Sequence, residues 1–539
     1  MKFTTETSFR NTGADFETYE NLCEKSKVVR SSDRRVDSCG MVMDFVNPEI
    51  FVTSPRETHV LLVGGTGSGK TRRVMVPSII MQGKTGTSMV ITDPKGELYR
   101  FTAKDLKAMG YEILSVNMRN PSRGNRWNPL SYIEKYYNSE DVELRDKASV
   151  MLSDIANILK KGIHSIRDLF WENSAAGLFM GVAQMILEKG LEGGLTFENI
   201  FNVARMMLIE LSSKDLDSSN LSQSLWDYYN GLDEFNPIKR NLSPLFTGSI
   251  DRMQESILAT FETMLNPYVS QEAFVDLTCK SEMDFEDIGR RPTALFLILP
   301  DDSAALYPLA SIMIKQIYNI LVRQADENID NGGKLENPVF FMLDEFGTIC
   351  GSPSSSVIPD FPLMMSAGRS RGFRFAIVCQ SIEQLSVNYK VHEANTIVGN
   401  CDTWLYLNSR DMSFIQRLQE QIGVYVSPNT GRERPLISTI ELQKMELGRL
   451  LVLNKCCSPY WGHLKDFTEY DFGPEISMEE VALPESREAV KRIHTSLEDL
   501  LSNKEEERNE WEPEDFDSDY LSDDFEDVDD EEDMNDTPF

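Results

Sequence analysis

The feature that most constrains this chain is Gly64-Gly65-Thr66-Gly67-Ser68-Gly69-Lys70-Thr71, set between the apolar run His59–Val63 and a helical pattern. The segment matches G-x-x-x-x-G-K-[ST] in full, in the strand–loop–helix setting such a loop needs. Its glycines let successive backbone N–H groups curl around phosphate oxygens, and Lys70 supplies a cation to the β- and γ-phosphates. The Thr71 hydroxyl can ligate Mg²⁺, and the following helix turns its positive end toward the anion. A chance glycine-rich turn would explain neither the strand before it nor the helix after it. The ligand class is a nucleoside triphosphate with Mg²⁺.

Such a loop needs an acid on a neighbouring strand to support the metal. Phe340-Phe341-Met342-Leu343-Asp344-Glu345 supplies it: four apolar residues, then two carboxylates where the strand should emerge beside the loop. Asp344 is expected to hold Mg²⁺, through water, and Glu345 to orient and deprotonate the attacking water. The adjacent glutamate favours a water-activating ATPase over a small GTPase, and no N-K-x-D guanine reader is present. Asp93, at the end of Ser88–Asp93, is balanced between a second nucleotide-side acid and a tight turn with proline at its second position. Arg371, and after it Arg369, are candidates for an arginine finger acting on a neighbouring subunit. Gln380, at the tip of the strand after the Asp-Glu strand, is a candidate sensor of the γ-phosphate. Surface salt bridges and a capped strand end are the bland alternatives.

The apolar runs near residues 60, 90, 113, 295, 341, 376, 404 and 451 read as buried strands, several of them separated by helices, and the alternation of strand and helix argues for a parallel α/β sheet. Two further short strands are expected in 40–53, leading inward. From 131 to 280 apolar residues recur at helical spacing instead, in Ala148–Leu159, Ser174–Leu187, Phe197–Leu211 and Ile250–Leu265. The expected fold is therefore α/β, a nucleotide-binding domain interrupted by an all-α insertion. The separation of 274 positions from Lys70 to Asp344 requires that insertion.

Charge is uneven. Glu505–Phe539 holds 19 acidic residues and one basic one, leaving −14 of the net −32 on the rest. So few apolar side chains cannot offset the entropy of ordering, and this stretch is expected to be a disordered acidic tail. Any positive surface on so acidic a chain must be local; the candidates are Arg119, Arg123 and Arg126, and Lys160, Lys161 and Arg167. The eight cysteines form no C-x-x-C pair. Cys456 and Cys457, with His463 near them, could be imagined as metal ligands, but the preferred reading is of buried thiols near a strand end. No signal peptide and no run of roughly 18 apolar residues stands out, so a soluble chain is expected.

Taken together, the ordered motifs resemble those of the type IV secretion coupling proteins, the ATPases of conjugative DNA transfer. They are the loop continuing to Pro77, Thr92–Glu97, Arg126–Leu130, Phe170–Asn173, Leu343–Gly347, Ser370–Phe373, Gly399–Asp402 and Arg434–Leu436, spread over Phe51–Phe472. The resemblance implies a RecA-like domain, an all-α domain facing the cytoplasm, and a hexameric ring. It also implies ATP-driven pumping of single-stranded DNA with its attached relaxase into a type IV secretion channel. The acidic tail would contact relaxosome proteins. The family's usual N-terminal transmembrane helices are missing, so the expected place is the bacterial cytoplasm, at the inner membrane face through a partner or an anchor preceding Met1. The implied organisation is an N-terminal segment at 1–50, nucleotide-binding parts at 51–130 and 281–475, the all-α domain at 131–280 and the tail at 476–539. An intracellular ring translocase or mobilisation ATPase, and a substrate-docking receptor with weak ATPase, remain open as alternatives.

Overall fold

The computed structural model describes residues 14–502 except 48, 56–57, 162–168, 213–219, 247–249, 352–356, 428–429 and 456. The strands are β1 (Lys27–Arg30), β2 (Val42–Asn47), β3 (Ile50–Thr53), β4 (Val60–Val63), β5 (Ser88–Asp93), β6 (Glu112–Asn117) and β7 (Thr293–Ile298). They continue with β8 (Val339–Leu343), β9 (Phe373–Cys379), β10 (Thr403–Tyr406), β11 (Val424–Val426), β12 (Glu433–Pro435), β13 (Arg449–Asn454) and β14 (Tyr460–His463). Nine of them form one sheet in the order β14-β13-β10-β4-β9-β8-β5-β7-β6. From β10 to β6 all pairings are parallel, and β13 and β14 add an antiparallel edge.

The central strands are apolar on both faces because both faces are covered. Val60 and Leu62 point into one core with Val74, Ile79, Leu98 and Leu106. Leu61 and Val63 point into the other, which runs on through the helix Tyr307–Glu327 into the helical insertion. In that insertion, 131–278, the described residues form eight helices and no strand. The four found by spacing are joined by Ser131–Tyr137, Asn220–Gly231, Pro237–Phe246 and Glu272–Thr278, which are too short or too polar to announce themselves.

Two expectations need correction. The strands in 40–53 do not lead into the main sheet; with β1 they form a separate antiparallel sheet, β1-β3-β2, beside it. Residues 476–502, assigned to the acidic tail, instead lie along the body as a strap. Ser477 and Met478 N–H groups cap Asp105, Val481 N–H donates to Arg100 O, and Ser486 bridges Arg123. The strap then crosses to the insertion, where Asn199 binds Ile493 O and Leu497 and Leu500 are buried. Residues 503–539 lie outside the described set. The helix Ala304–Glu327 is long and apolar enough to cross a membrane, but its most apolar part is 83% buried, as a core helix should be.

Candidate active site

The glycine-rich loop leaves β4 between the tips of two strands. Gly64 N–H donates to Cys379 O at 3.1 Å, and Gly65 N–H donates to Asn408 O. Gly67 and Gly69 have φ of 77° and 91°, values L side chains rarely adopt. A Cβ on Gly64 would stand 2.5 Å from Ser68 Oγ. The chain then enters a wide helical turn, Lys70–Met75, and continues as Val76–Gly83.

Lys70 is only 7% exposed, and its ammonium is folded onto the loop's own carbonyls, 2.6 Å from Gly64 O and 3.3 Å from Gly65 O. Ser68 Oγ is buried without a hydrogen-bond partner. An orphaned hydroxyl, a concentrated cation and glycine N–H groups around one concavity are the donor set a polyphosphate would satisfy. The loop opens into a cleft of about 840 Å³, walled by Gln380–Ser381, Leu407–Asp411 and Gln443–Arg449.

The acid pair is not on the strand beside β4. β9 lies between β4 and β8, so Asp344 and Glu345 face the loop across Gln380, at the tip of the intervening strand. Asp344 is buried, and burial, reinforced by the charge of Glu345, pushes its carboxyl up to about 7, with Lys70 pulling the other way. A carboxylate this costly to ionise alone is suited to a bound cation. Thr92 Oγ1 donates to Asp344 O at 2.7 Å, tying the tips of β5 and β8 together.

Glu345 has φ 50°, left-handed for a residue with a side chain. Its N–H donates to Asp344 Oδ1 at 2.9 Å. Its carboxylate accepts from Gln380 Nε2 at 3.2 and 3.0 Å and from Thr348 Oγ1 at 3.2 Å. Backbone strain of this kind gathers at functional positions. Asp93 resolves toward the structural side: burial raises it to about 6, while its carboxylate caps the helix Glu97–Ala108, accepting from Tyr99 N–H at 2.8 Å.

Arg371 lies elsewhere. It precedes β9, whereas Gln380 follows that strand, and seven extended residues separate the two ends by about 23 Å. It pairs with Asp326 at 2.7 Å, and Arg369 pairs with Asp402. Neither reaches its own chain's loop. The basic cluster is also spent internally: Arg126, 4% exposed, binds Asp276 and Glu282, and Arg119 binds Asp301. Lys160 reaches Asn173, while Arg167 lies outside the described residues. No group of three metal-ligating side chains occurs among the described residues, and Cys456 falls outside them. Sequence reasoning missed the wall Leu407–Asp411; a polar N-S-R-D stretch directly after the apolar strand β10 was its signal.

Residues 13–444 match the model of the type IV secretory system conjugative DNA transfer family. The chain belongs to that family. It is similar to the conjugal transfer protein TraG of Escherichia coli, 26% identical over 358 residues, covering 64% of this chain and 51% of that protein. It is also similar to the protein VirD4 of Rhizobium rhizogenes, 21% identical over 380 residues, 70% of this chain and 50% of that one. The chain thus spans about half the length of the curated relatives it matches. Among solved structures, the plasmid coupling protein TrwB with the ATP analogue ADPNP aligns with a TM-score of 0.59 at 15% identity, over 88% of this chain and 99% of that one. TrwB with ADP and Mg²⁺ aligns at 0.56, also at 15% identity, over 85% and 96%. At such identity the likeness shows the fold, a RecA-like domain with a helical insertion.

Proposed function

We propose that this chain is the ATP-hydrolysing coupling protein of a conjugative system, recruiting a relaxase–single-stranded DNA substrate and driving it into a type IV secretion channel. The observation that carries this reading is the convergence of Lys70, Asp344, Glu345 and Gln380 on one loop, with the Gln380 strand between the loop strand and the acidic strand. Gly64–Thr71 would hold the phosphates of ATP, with Thr71 and Asp344 beside Mg²⁺, which when bound neutralises charge on the β- and γ-oxygens. Glu345 would accept the proton of the attacking water. Gln380 would read the terminal phosphate. TrwB's complexes with ADPNP and with ADP and Mg²⁺ support the choice of ligands. Arg371 or Arg369 could act only across a subunit boundary, in a ring of copies such as the hexamer that the family resemblance implies.

A second reading is a substrate receptor with weak ATPase. It is supported by the engagement of Arg119 and Arg126 in internal ion pairs on a net-acidic body. The ATPase rate with and without single-stranded DNA separates the two, beside Lys70→Ala and Glu345→Gln. Stimulation by DNA that disappears in both variants supports the motor. A rate indifferent to DNA supports the receptor, and unchanged rates in the variants would remove the site.

A further inference from the structure

A loop that binds phosphate through its backbone has no use for the side chain of Thr66, yet the Thr66 hydroxyl donates to Gln380 Oε1 at 3.2 Å. A carboxamide has one accepting end and one donating end. With Oε1 engaged by Thr66, Nε2 faces Glu345 and donates to both of its oxygens. Thr348 Oγ1 completes the chain from the other side. Gln380 is itself anchored: its N–H points at Gln384 Oε1 at 3.4 Å, and its carbonyl accepts from Ser409 Oγ at 3.2 Å. The series Thr66–Gln380–Glu345–Thr348 therefore joins the glycine-rich loop, the tip of β9 and the turn after β8. The member most in need of outside support is Glu345, in its left-handed backbone conformation.

We infer that Thr66 is a positioning residue, which turns the Gln380 carboxamide so that its N–H end braces the water-activating carboxylate of Glu345. The inference rests on the reading of this site as an ATPase. It makes the loop's third residue more than a spacer: a shift of the loop moves Gln380 Oε1, and with it the donor that sets Glu345.

The test has two readouts. In the nucleotide-free protein, hydrogen exchange at Thr348 and Ile349, whose N–H groups bind Glu345 O, should quicken about fivefold in Thr66→Val and Gln380→Ala, the size expected for one lost hydrogen bond. Thr66→Ser should keep the wild-type rate. In steady state, Thr66→Val should lower kcat about tenfold at an unchanged KM for ATP, with Thr66→Ser restoring it. Unchanged exchange in both Thr66→Val and Gln380→Ala overturns the brace. Faster exchange with unchanged kcat overturns the positioning role. A wild-type chain without ATPase activity would remove the ATPase reading instead, while the exchange data still decide whether the brace exists.

Discussion

Arg487 Nη2 lies 2.9 Å from Asp276 Oδ2, and the same carboxylate binds Arg126 through Oδ1. Arg487 Nη1 donates to Arg123 O and Gly124 O, both at 2.9 Å. The C-terminal strap is thereby locked onto the crossing where the chain enters the helical insertion and returns from it. Arg487→Ala should lower unfolding stability by about 2–3 kcal/mol, measured by denaturant titration, because it strands buried carbonyls and half of a shared carboxylate. Arg487→Lys should recover only part of this, lacking the planar fork.

The same junction should be acid-sensitive. Burial alone would raise Asp276, but hydrogen bonds from Arg126 and Arg487 hold it below its ordinary 3.8; Glu282 is likewise held low by Arg126. Depressed folded-state values mean that the unfolded chain binds protons first, so the stabilisation is complete above roughly pH 5 and is lost as pH falls through 4 and below. Thermal melts from pH 6 to pH 3 should show this loss, and Asp276→Asn should flatten the acid side of the profile while lowering stability at pH 7.

Asp344 has the opposite sign. Its folded carboxyl lies at about 7, above the ordinary 3.8, so ionising it costs stability progressively as pH rises through that interval. Asp344→Asn should therefore melt higher than wild type at pH 8 and equal to it at pH 4. Affinity for Mg²⁺-nucleotide should fall in wild type by up to about tenfold per unit below pH 7, as the ligand becomes protonated. An affinity that ignores pH between 8 and 6 would count against Asp344 as the metal-side acid.

Arg371 lies at the end of β9, a strand about 23 Å long, that is opposite the loop, so it could assist hydrolysis only in another copy. If Arg371 or Arg369 is that group, its alanine variant should bind ATP normally and hydrolyse it about 10³-fold more slowly. Mixing it with Lys70→Ala, itself inactive, should restore activity in proportion to mixed interfaces. Failure of both arginine variants to complement would leave the pairs with Asp326 and Asp402 as purely structural.

Leu500 is fully buried at the far end of the strap. Leu500→Ala should cost about 2–5 kcal/mol in a fold that keeps the strap in place. Limited proteolysis should then cut within 476–502 in the variant but not in wild type. Cutting in both would show that the strap is not held on the insertion.

The central strands were legible because each is a short, continuous apolar run bounded by polar residues, which only a strand covered on both faces can bury. β1 and β14, with four residues each and mixed polarity, carry no such signal. The strap is invisible for a related reason. Residues 476–502 are mostly polar and are held by backbone pairing and by single anchors such as Arg487 and Leu500, so no periodicity marks them.

For the proposed site, the residue types and their places at strand ends were enough to nominate Gly64–Thr71, Asp344, Glu345 and Gln380, because phosphate, metal and water would each call for a particular residue type there. The order of the strands was beyond it. Pairing of β4 with β9 joins segments hundreds of residues apart, and only the folded sheet puts Gln380 between the loop and the acids. The sequence by itself nominated the side chains proposed to carry the chemistry. The tertiary structure decided which of them meet: Thr66 with Gln380, Gln380 with Glu345, and Arg371 with Asp326 instead of the loop, because hydrogen bonds and ion pairs act over a few ångströms of space irrespective of separation along the chain.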